Sequence, residues 1–323
     1  TLLLPAGLTS YSSINYKDED EIISKHLDDN ISVDDIYIKY ILPDKMKYNI
    51  EYIERFSFWY DIKIMFKTFY LYFWEEKIMK VSIGVVALNE EKTLPSLFED
   101  FKLQTYPHDE IEIILVDGIS TDNTKEIMQT FKDNNDFLEV KILDNPKKIQ
   151  SAGWNIVIKN FTGDVLVRID AHSSVPKDFI EKNVKNIKSG EDVSGGKRPN
   201  IIDENTAYKR MLLEAESSMF GSSIAPFRNA SGKKYVKSMF HAMYKREVLE
   251  KVGFFNEKLL RTEDNEFHYR IRKAGYKLCY DDNIVSYQHT RNSLLKMIKQ
   301  KKANGMWIGL TTAICPECLN LYH

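Results

Sequence analysis

Apolar residues recur along this chain in two plans, and the change falls near residue 79. Val81–Leu88 is apolar and β-branched apart from Ser82 and closes on Asn89-Glu90, which predicts a buried strand. Glu91–Leu103 sets Leu94, Leu97, Phe98 and Phe101 on one face at helical spacing. Ile111–Val116 reads as a second strand ending in Asp117-Gly118. Asp122–Phe131 reads as a helix that Ser120, Thr121 or Asp122 can cap. Leu138–Leu143, Gln150–Asn160 and Val165–Ile169 then read as strand, helix and strand. This β-α-β-α-β-α-β order predicts an α/β domain with a largely parallel sheet and helices on both faces.

In such sheets ligands sit at the carboxyl ends of the strands. The polar residues there are Asn89 and Glu90, Asp117, and Asp170 with His172. Side chains two apart on an extended segment point the same way, so Asp170 and His172 can reach one ligand. Carboxylate plus imidazole suits a divalent ion, Mn²⁺ or Mg²⁺. Taken alone the segment is equally a polar strand end in solvent. Three strands sending polar and acidic groups to one edge favour a site. No GxGxxG follows the first strand and no GxxxxGK[ST] occurs, which argues against a dinucleotide oxidoreductase and a P-loop nucleotidase. An acidic edge repels bare phosphate. It holds a nucleotide diphosphate through a divalent cation, with carboxylates left to accept from base and ribose. A sugar-nucleotide site needs that arrangement.

Composition narrows the picture. The 323 residues suffice for one large domain or two smaller ones, and 43% hydrophobic with 28% charged is ordinary for a globular chain. A formal net charge of -2 gives no reason to expect nucleic acid as partner. Three cysteines do not suggest a disulfide scaffold. Cys315 and Cys318 form a lone CxxC with His323 near it, three ligands where a zinc site needs four. No uncharged apolar run reaches the ~18 residues of a membrane span, and no secretory signal opens the chain.

The ordered motifs resemble the family 2 glycosyltransferases of the GT-A fold, from Val81 to about Trp307, roughly seven-tenths of the chain. Ala87-Leu88-Asn89-Glu90 stands where that family closes its first strand. Val116-Asp117-Gly118 through Thr124 matches its nucleotide-binding turn, and Asp170-Ala171-His172 stands at its metal motif. Gly253-Phe254-Phe255-Asn256-Glu257 precedes Thr262-Glu263-Asp264-Asn265-Glu266-Phe267, and Arg270 and Ala274-Gly275-Tyr276 follow in register. A narrower resemblance is to the subgroup acting in bacterial exopolysaccharide (succinoglycan-type) assembly. Met243–Val248, Arg291-Asn292-Ser293-Leu294 and Gly305-Met306-Trp307 carry it.

The resemblance implies a GT-A-type mostly parallel sheet, with a Rossmann-like nucleotide half over 79–172 and an acceptor half over 173–310. It implies an inverting, metal-dependent hexosyltransferase (EC 2.4) using Mn²⁺ or Mg²⁺. The donor is a nucleotide-sugar, with UDP favoured only through the resemblance. The acceptor is a glycan or lipid-linked oligosaccharide in surface polysaccharide synthesis, and the expected place is the cytoplasmic face of a bacterial inner membrane. Ala87, Asn89, Glu90, Asp117, Asp170 and Arg270 fall at nucleotide-binding positions, and Asp170, His172 and His289 at metal positions. His289 equally reads as an ordinary strand-end histidine. The family's metal motif usually ends in Asp. His172 makes the site one charge less negative and shifts preference toward ions that accept imidazole, so Mn²⁺ is expected to serve at least as well as Mg²⁺.

A diphosphate leaving group needs one general base rather than a glycosidase's two carboxylates. Asp264 is the candidate base, with Glu263 or Glu266 as fallback. The three are expected just ahead of a helix whose Phe267, Ile271 and Ala274 face the core, where acidic groups also suit the helix dipole. Arg270 holds the acidic cluster or the diphosphate, or pairs with Glu266 at i+4. His241 and His268 read as structural or exposed. Lys197-Arg198 reads as a solvated basic turn or an acceptor-phosphate contact. Leu294–Asn304 reads as a basic helix, against solvent, anionic lipid or the donor diphosphate, and 311–323 as a truncated end.

Residues 1–78 follow another plan: rich in Asp, Lys, Tyr and Ile, with glycine only at position 7. Phe56–Trp74 is aromatic but interrupted by Asp61, Lys63 and Lys67. It predicts an amphipathic helix, packed on protein or lying at a membrane interface with Trp59, Phe66, Tyr70 and Trp74 at headgroup level. Pro5–Thr9, Ile41–Lys45, Tyr52-Ile53-Glu54, Ser57, Asp61–Ile64 and Lys67-Thr68 resemble the tail of bacterial sugar-phosphate transferases. That family's catalytic acids lie upstream of this stretch, so a mainly helical, non-catalytic appendage is expected. Met79 reads as the start of a second protein, joined to the first from neighbouring reading frames. Native peptides spanning residue 79 would contradict that joining. Two other functions compete: a non-catalytic fused or truncated nucleotide binder, and a sugar-nucleotide nucleotidyltransferase. The latter usually carries a Gly-rich basic loop that Ala87–Lys92 lacks.

Overall fold

The computed structural model describes Ser12, Ile23 and residues 32–73, 78–218, 231–291 and 293–318. Pro5–Thr9, Trp74, Asn292 and His323, which figure in the sequence patterns above, lie outside the described residues, as does the side chain of Tyr70. The chain divides into two compact units, Thr1–Ile78 and Met79–His323.

In the first unit Ser32 caps α1 (Val33–Ile36), its Oγ accepting from the Asp35 amide at 3.2 Å. A π-helical turn, Tyr37–Ile41, leads into α2 (Leu42–Glu54), which carries Pro43 in its first turn. α3 spans Phe58–Phe73, and Tyr52 on α2 donates to Asp61 on α3 at 2.5 Å. Ile36, Ile41 and Ile64 are buried, while Phe58, Trp59, Met65 and Phe66 are exposed.

The second unit is built on an eight-stranded sheet in the order β3-β2-β1-β4-β9-β6-β10-β8. Its first half is parallel: β1 (Val81–Ala87), β2 (Ile111–Asp117), β3 (Glu139–Asp144) and β4 (Val165–Asp170). The crossover helices are α4 (Leu94–Lys102), α5 (Thr124–Asp133) and α6 (Gln150–Asn160), all within a few residues of the pattern read from sequence. α7 (Phe179–Lys188) leads to β6 (Val193–Lys197), and β9 (Met243–Lys245) is antiparallel to both β4 and β6. β8 (Lys234–Val236) edges β10 (Leu278–Val285). A small second sheet joins β5 (Ser173–Ser174), β11 (Tyr287–His289) and β7 (Asn200–Ile201). α8 (Ala207–Ser217), α9 (Arg246–Val252) and α10 (Glu263–Lys273) lie among the strands of the second half of the unit in sequence.

Strand alternation sorts the core into two layers. Val81, Ile83, Val85, Val165, Val167 and Ile169 pack under α4, where Phe98 stacks on Phe131 at 4.1 Å. Ile114, Val116 and Leu166 pack under α6 and α10, where Phe255 stacks on Phe267 at 4.0 Å. Each fully buried Val, Ile or Phe side chain is worth about 1.5–3 kcal/mol. Gly84 lets α6 approach β1, because a Cβ there would meet Val157 Cγ1 at 2.6 Å.

Two element readings are corrected. The basic helix does not stop at Asn304: α11 runs Leu294–Ile314, since Gly305 lies within a helix whose apolar residues continue beyond it. Ala274 does not face the core. It is the exposed C-cap of α10, after Phe267 and Ile271 have completed the buried face. Among the described residues no helix is long and apolar enough to cross a membrane.

Candidate functional site

A cleft of about 170 Å³ opens at the carboxyl ends of β1, β2 and β4. The register aligns Ala87 with Asp117 and Val86 with Asp170, so the two aspartates flank the end of β1. Ala87, Glu90, Gly118, Asn145, Asp170 and His172 line the cleft, with Lys148 and Gln150 at the start of α6. The loops after β1 and β2 are fastened to each other. Asn89, at φ 56°, accepts the Thr121 amide through Oδ1 at 2.8 Å, and its own amide donates to Ser120 Oγ at 2.9 Å. The Asp117 carboxylate accepts the Ser120 amide at 3.1 Å. Asn89 and Asp117 thus shape the rim through the loop that they hold.

Asp170 is a buried hub. Its Oδ2 accepts from Arg198 Nη2 at 3.0 Å and lies 3.3 Å from His241 Nε2. Its Oδ1 carries no hydrogen bond and lies 3.8 Å from Arg168 Nη2. Burial alone would raise the Asp170 pKa, but His241, Arg168 and Arg198 hold it well below the usual carboxylate range. His241, at φ 46°, also meets Ser173 and Ser286. Burial and the Arg198 charge push it down to about 4 against the pull of Asp170, so its ring is neutral near pH 7. His172 lines the cleft with Nδ1 3.4 Å from Glu90 Oε1. Burial raises Glu90, yet the His172 and Thr93 bonds outweigh it and the net shift is downward.

The acidic trio does not precede α10 but forms its first turn, behind Thr262 at φ 61°. Glu263, Asp264 and Glu266 are all buried. Arg168 shares the β4 face of Leu166 and Asp170, and its Nη2 donates to Glu263 Oε1 at 3.0 Å. Burial, with the neighbouring Asp264 charge, pushes Glu263 up to about 7 against Arg168. Glu266 takes the alternative partner, Arg270, at 2.7 Å. Arg270 also donates to the carbonyls of Val252 and Phe254, both at 2.7 Å. Glu263, Asp264, Glu266 and Arg270 are outside the lining of the cleft itself. His289 is engaged at both nitrogens, with Asp203 at Nδ1 and Ser174 Oγ 2.9 Å from Nε2. His268 is buried and structural, between Ser238 and Tyr244.

Sequence reasoning missed Arg168, and it missed that Arg198 and His241 meet on Asp170. The reading of Lys197-Arg198 as a solvated turn is corrected for Arg198: it is buried on Asp170, with its guanidinium 4.2 Å over the Phe240 ring. Among the described residues no trio of His, Cys, Asp and Glu is set to hold a metal. Asp170, with one buried oxygen unbonded, and His172 on the same cleft suit a divalent ion that takes its remaining ligands from a diphosphate. Cys318 does not act as a thiolate: burial and Cys315 push its thiol up to about 12, and its Sγ donates to the Cys315 carbonyl at 2.9 Å.

A parallel α/β half with an acidic strand edge, joined to a helix opening on buried carboxylates, is an architecture that suits a transferase acting on a nucleotide-sugar. The chain belongs to glycosyl transferase family 2, whose model matches residues 82–253, and it is a glycosyltransferase. It is 30% identical over 236 residues to the dolichyl N-acetyl-alpha-D-glucosaminyl phosphate 3-beta-D-2,3-diacetamido-2,3-dideoxy-beta-D-glucuronosyltransferase of Methanococcus voltae, covering 71% of this chain and 73% of that one. It is 29% identical to the succinoglycan biosynthesis protein ExoA of Rhizobium meliloti, covering 68% and 66%. Two solved structures share the fold. One is the mannosyltransferase PcManGT from Pyrobaculum calidifontis in complex with GDP-Man and Mn²⁺ (TM-score 0.52, 22% identity, covering 66% of this chain and 57% of that one). The other is S. aureus TarS 1–349 in complex with UDP-GlcNAc (TM-score 0.51, 21% identity, covering 67% and 60%). The chain therefore spans about three fifths of these solved relatives.

Proposed function

We propose that the second unit is an inverting, metal-assisted glycosyltransferase. It moves a sugar from a UDP-sugar to a hydroxyl of a glycan or lipid-linked acceptor in cell-surface polysaccharide synthesis. The observation that carries this reading is the convergence on one cleft of Glu90 from the end of β1 and Asp170 and His172 from the end of β4, with Arg168 linking Asp170 to the first turn of α10. Asp170 and His172 are the residues to hold Mn²⁺ or Mg²⁺. Such an ion neutralises charge on a departing nucleotide diphosphate. Ala87, Asn89, Glu90 and Asp117 form or brace the nucleotide side. Asp264 takes the proton from the acceptor hydroxyl, and the acceptor oxygen bonds to the anomeric carbon. The bond from that carbon to the diphosphate oxygen breaks, its electron pair leaves with the nucleotide, and configuration inverts.

His289 and Arg270 have secondary places in this scheme. His289 joins the metal only by exchanging one of its present partners, and Arg270 braces α10 rather than gripping phosphate. Support for UDP and for a lipid-linked acceptor comes from the relatives' names, in which TarS is in complex with UDP-GlcNAc and the archaeal enzyme is named for a dolichyl N-acetyl-alpha-D-glucosaminyl phosphate. A panel of UDP-, GDP- and dTDP-sugars, each assayed for donor hydrolysis with Mn²⁺, tests the reading. Release of a nucleoside diphosphate from a UDP-sugar is expected. Formation of a nucleoside triphosphate and a sugar 1-phosphate from the donor when pyrophosphate is added would instead point to nucleotidyl transfer, and no turnover of any donor would favour a non-catalytic nucleotide binder.

A further inference from the structure

The cation between the two halves of the site is Arg168. Its Nη2 lies 3.0 Å from Glu263 Oε1 and 3.8 Å from the unbonded Oδ1 of Asp170. The guanidinium is seated over the Trp154 ring at 4.6 Å and 5.6 Å from the Phe255 ring centroid. Asp170 has nearer partners in Arg198, at 3.0 Å, and His241, at 3.3 Å. Among the described residues Glu263 has Arg168 as its ion-pair partner, and the pair spans 95 positions of sequence. Glu263 is followed directly by Asp264 in a turn that starts from a left-handed Thr262. Successive residues of a helix are about 100° apart around the axis. Seating Glu263 therefore sets the direction of Asp264.

We propose that Arg168 is a positioning residue. By gripping Glu263 from β4, it fixes the first turn of α10 and so the direction in which Asp264 presents its carboxylate. The proposal rests on the reading of Asp264 as the base. A guanidinium that both stacks on a ring and donates in a fixed fork is not replaced by an ammonium. Removing only the cation would leave Glu263 buried and unpaired, which threatens folding. The informative variants in the full chain are therefore Arg168→Lys and the neutral double Arg168→Met with Glu263→Gln.

Two measurements decide. For the UDP-sugar that the wild type hydrolyses best, kcat is expected to fall about tenfold in Arg168→Lys and about a hundredfold in the double variant. KM, and the Kd for UDP with Mn²⁺, are expected to stay within about threefold. Hydrogen exchange at the amides of residues 263–267 is expected to rise in both variants. A merely structural pair would lower the melting temperature of Arg168→Lys and leave kcat and exchange in the double variant at wild-type values, which would overturn the proposal. A loss confined to KM or to UDP affinity would overturn it too, by placing Arg168 on the donor side. The exchange measurement needs no turnover. It decides this proposal even if no donor is hydrolysed, a result that would count against the transferase reading instead.

Discussion

Asp264 and Glu263 are neighbours in one helical turn, yet their surroundings give them different work. Glu263 is spent on Arg168, whereas the Asp264 carboxylate accepts the adjacent Asn265 amide at 2.9 Å. Asp264→Asn is accordingly expected to lower transfer by about 10²–10⁴-fold, the usual share of a general base. UDP binding measured by calorimetry should stay unchanged. Near-normal turnover would refute the assignment. His172 is the second informative residue. His172→Asp restores the usual acidic end of the family motif and adds a negative charge to the cleft. Hard oxygen ligands suit Mg²⁺, so the ratio of Mg²⁺- to Mn²⁺-supported hydrolysis should rise in that variant. An unchanged ratio would remove His172 from the metal site.

At the scale of elements, the opposite end of the sheet has its own buried charge. Glu112 on β2 is fully buried and accepts from Ser82 Oγ and from the Thr162 and Gly163 amides, with Lys141 Nζ at 3.3 Å. Burial raises its pKa, but these donors outweigh it and hold it below its usual 4.5. A carboxylate depressed on folding contributes stability that is full above its unfolded pKa and is lost as pH falls through the folded value. Glu112→Gln should therefore cost about 1–3 kcal/mol at pH 7 by denaturant titration, and less below pH 4. An equal loss at both pH values would contradict the charge-based account. The parallel half of the sheet was legible in the sequence because its strands are mostly apolar runs ended by polar residues. The carboxyl-end acids were legible for the same reason. Arg168, Arg198 and His241 were not. Hydrophobic period places a residue on a face, but it does not say which charge from 28 to 95 positions away meets it there. Arg168 looked like an interruption of an apolar strand, and only the arrival of Glu263 explains a cation among Trp154 and Phe255.

On the scale of the whole molecule, the donor cleft and the α10 carboxylates both fall within Met79–His323. A chain beginning at Met79 is expected to keep a cooperative thermal transition and to bind UDP with Mn²⁺ as the full chain does. Loss of the transition would show that residues 1–78 are needed for the fold. The account stands most directly on Asp170, where both halves of the site meet. Calorimetric titration of UDP into the full chain, with and without Mn²⁺ and in Asp170→Asn with its fold checked by circular dichroism, tests it. Binding should depend on Mn²⁺ and weaken at least about tenfold in the variant, the lower end for losing a metal-site partner. Equal UDP affinity with and without the ion, or an unaffected Asp170→Asn, would contradict the donor site described here.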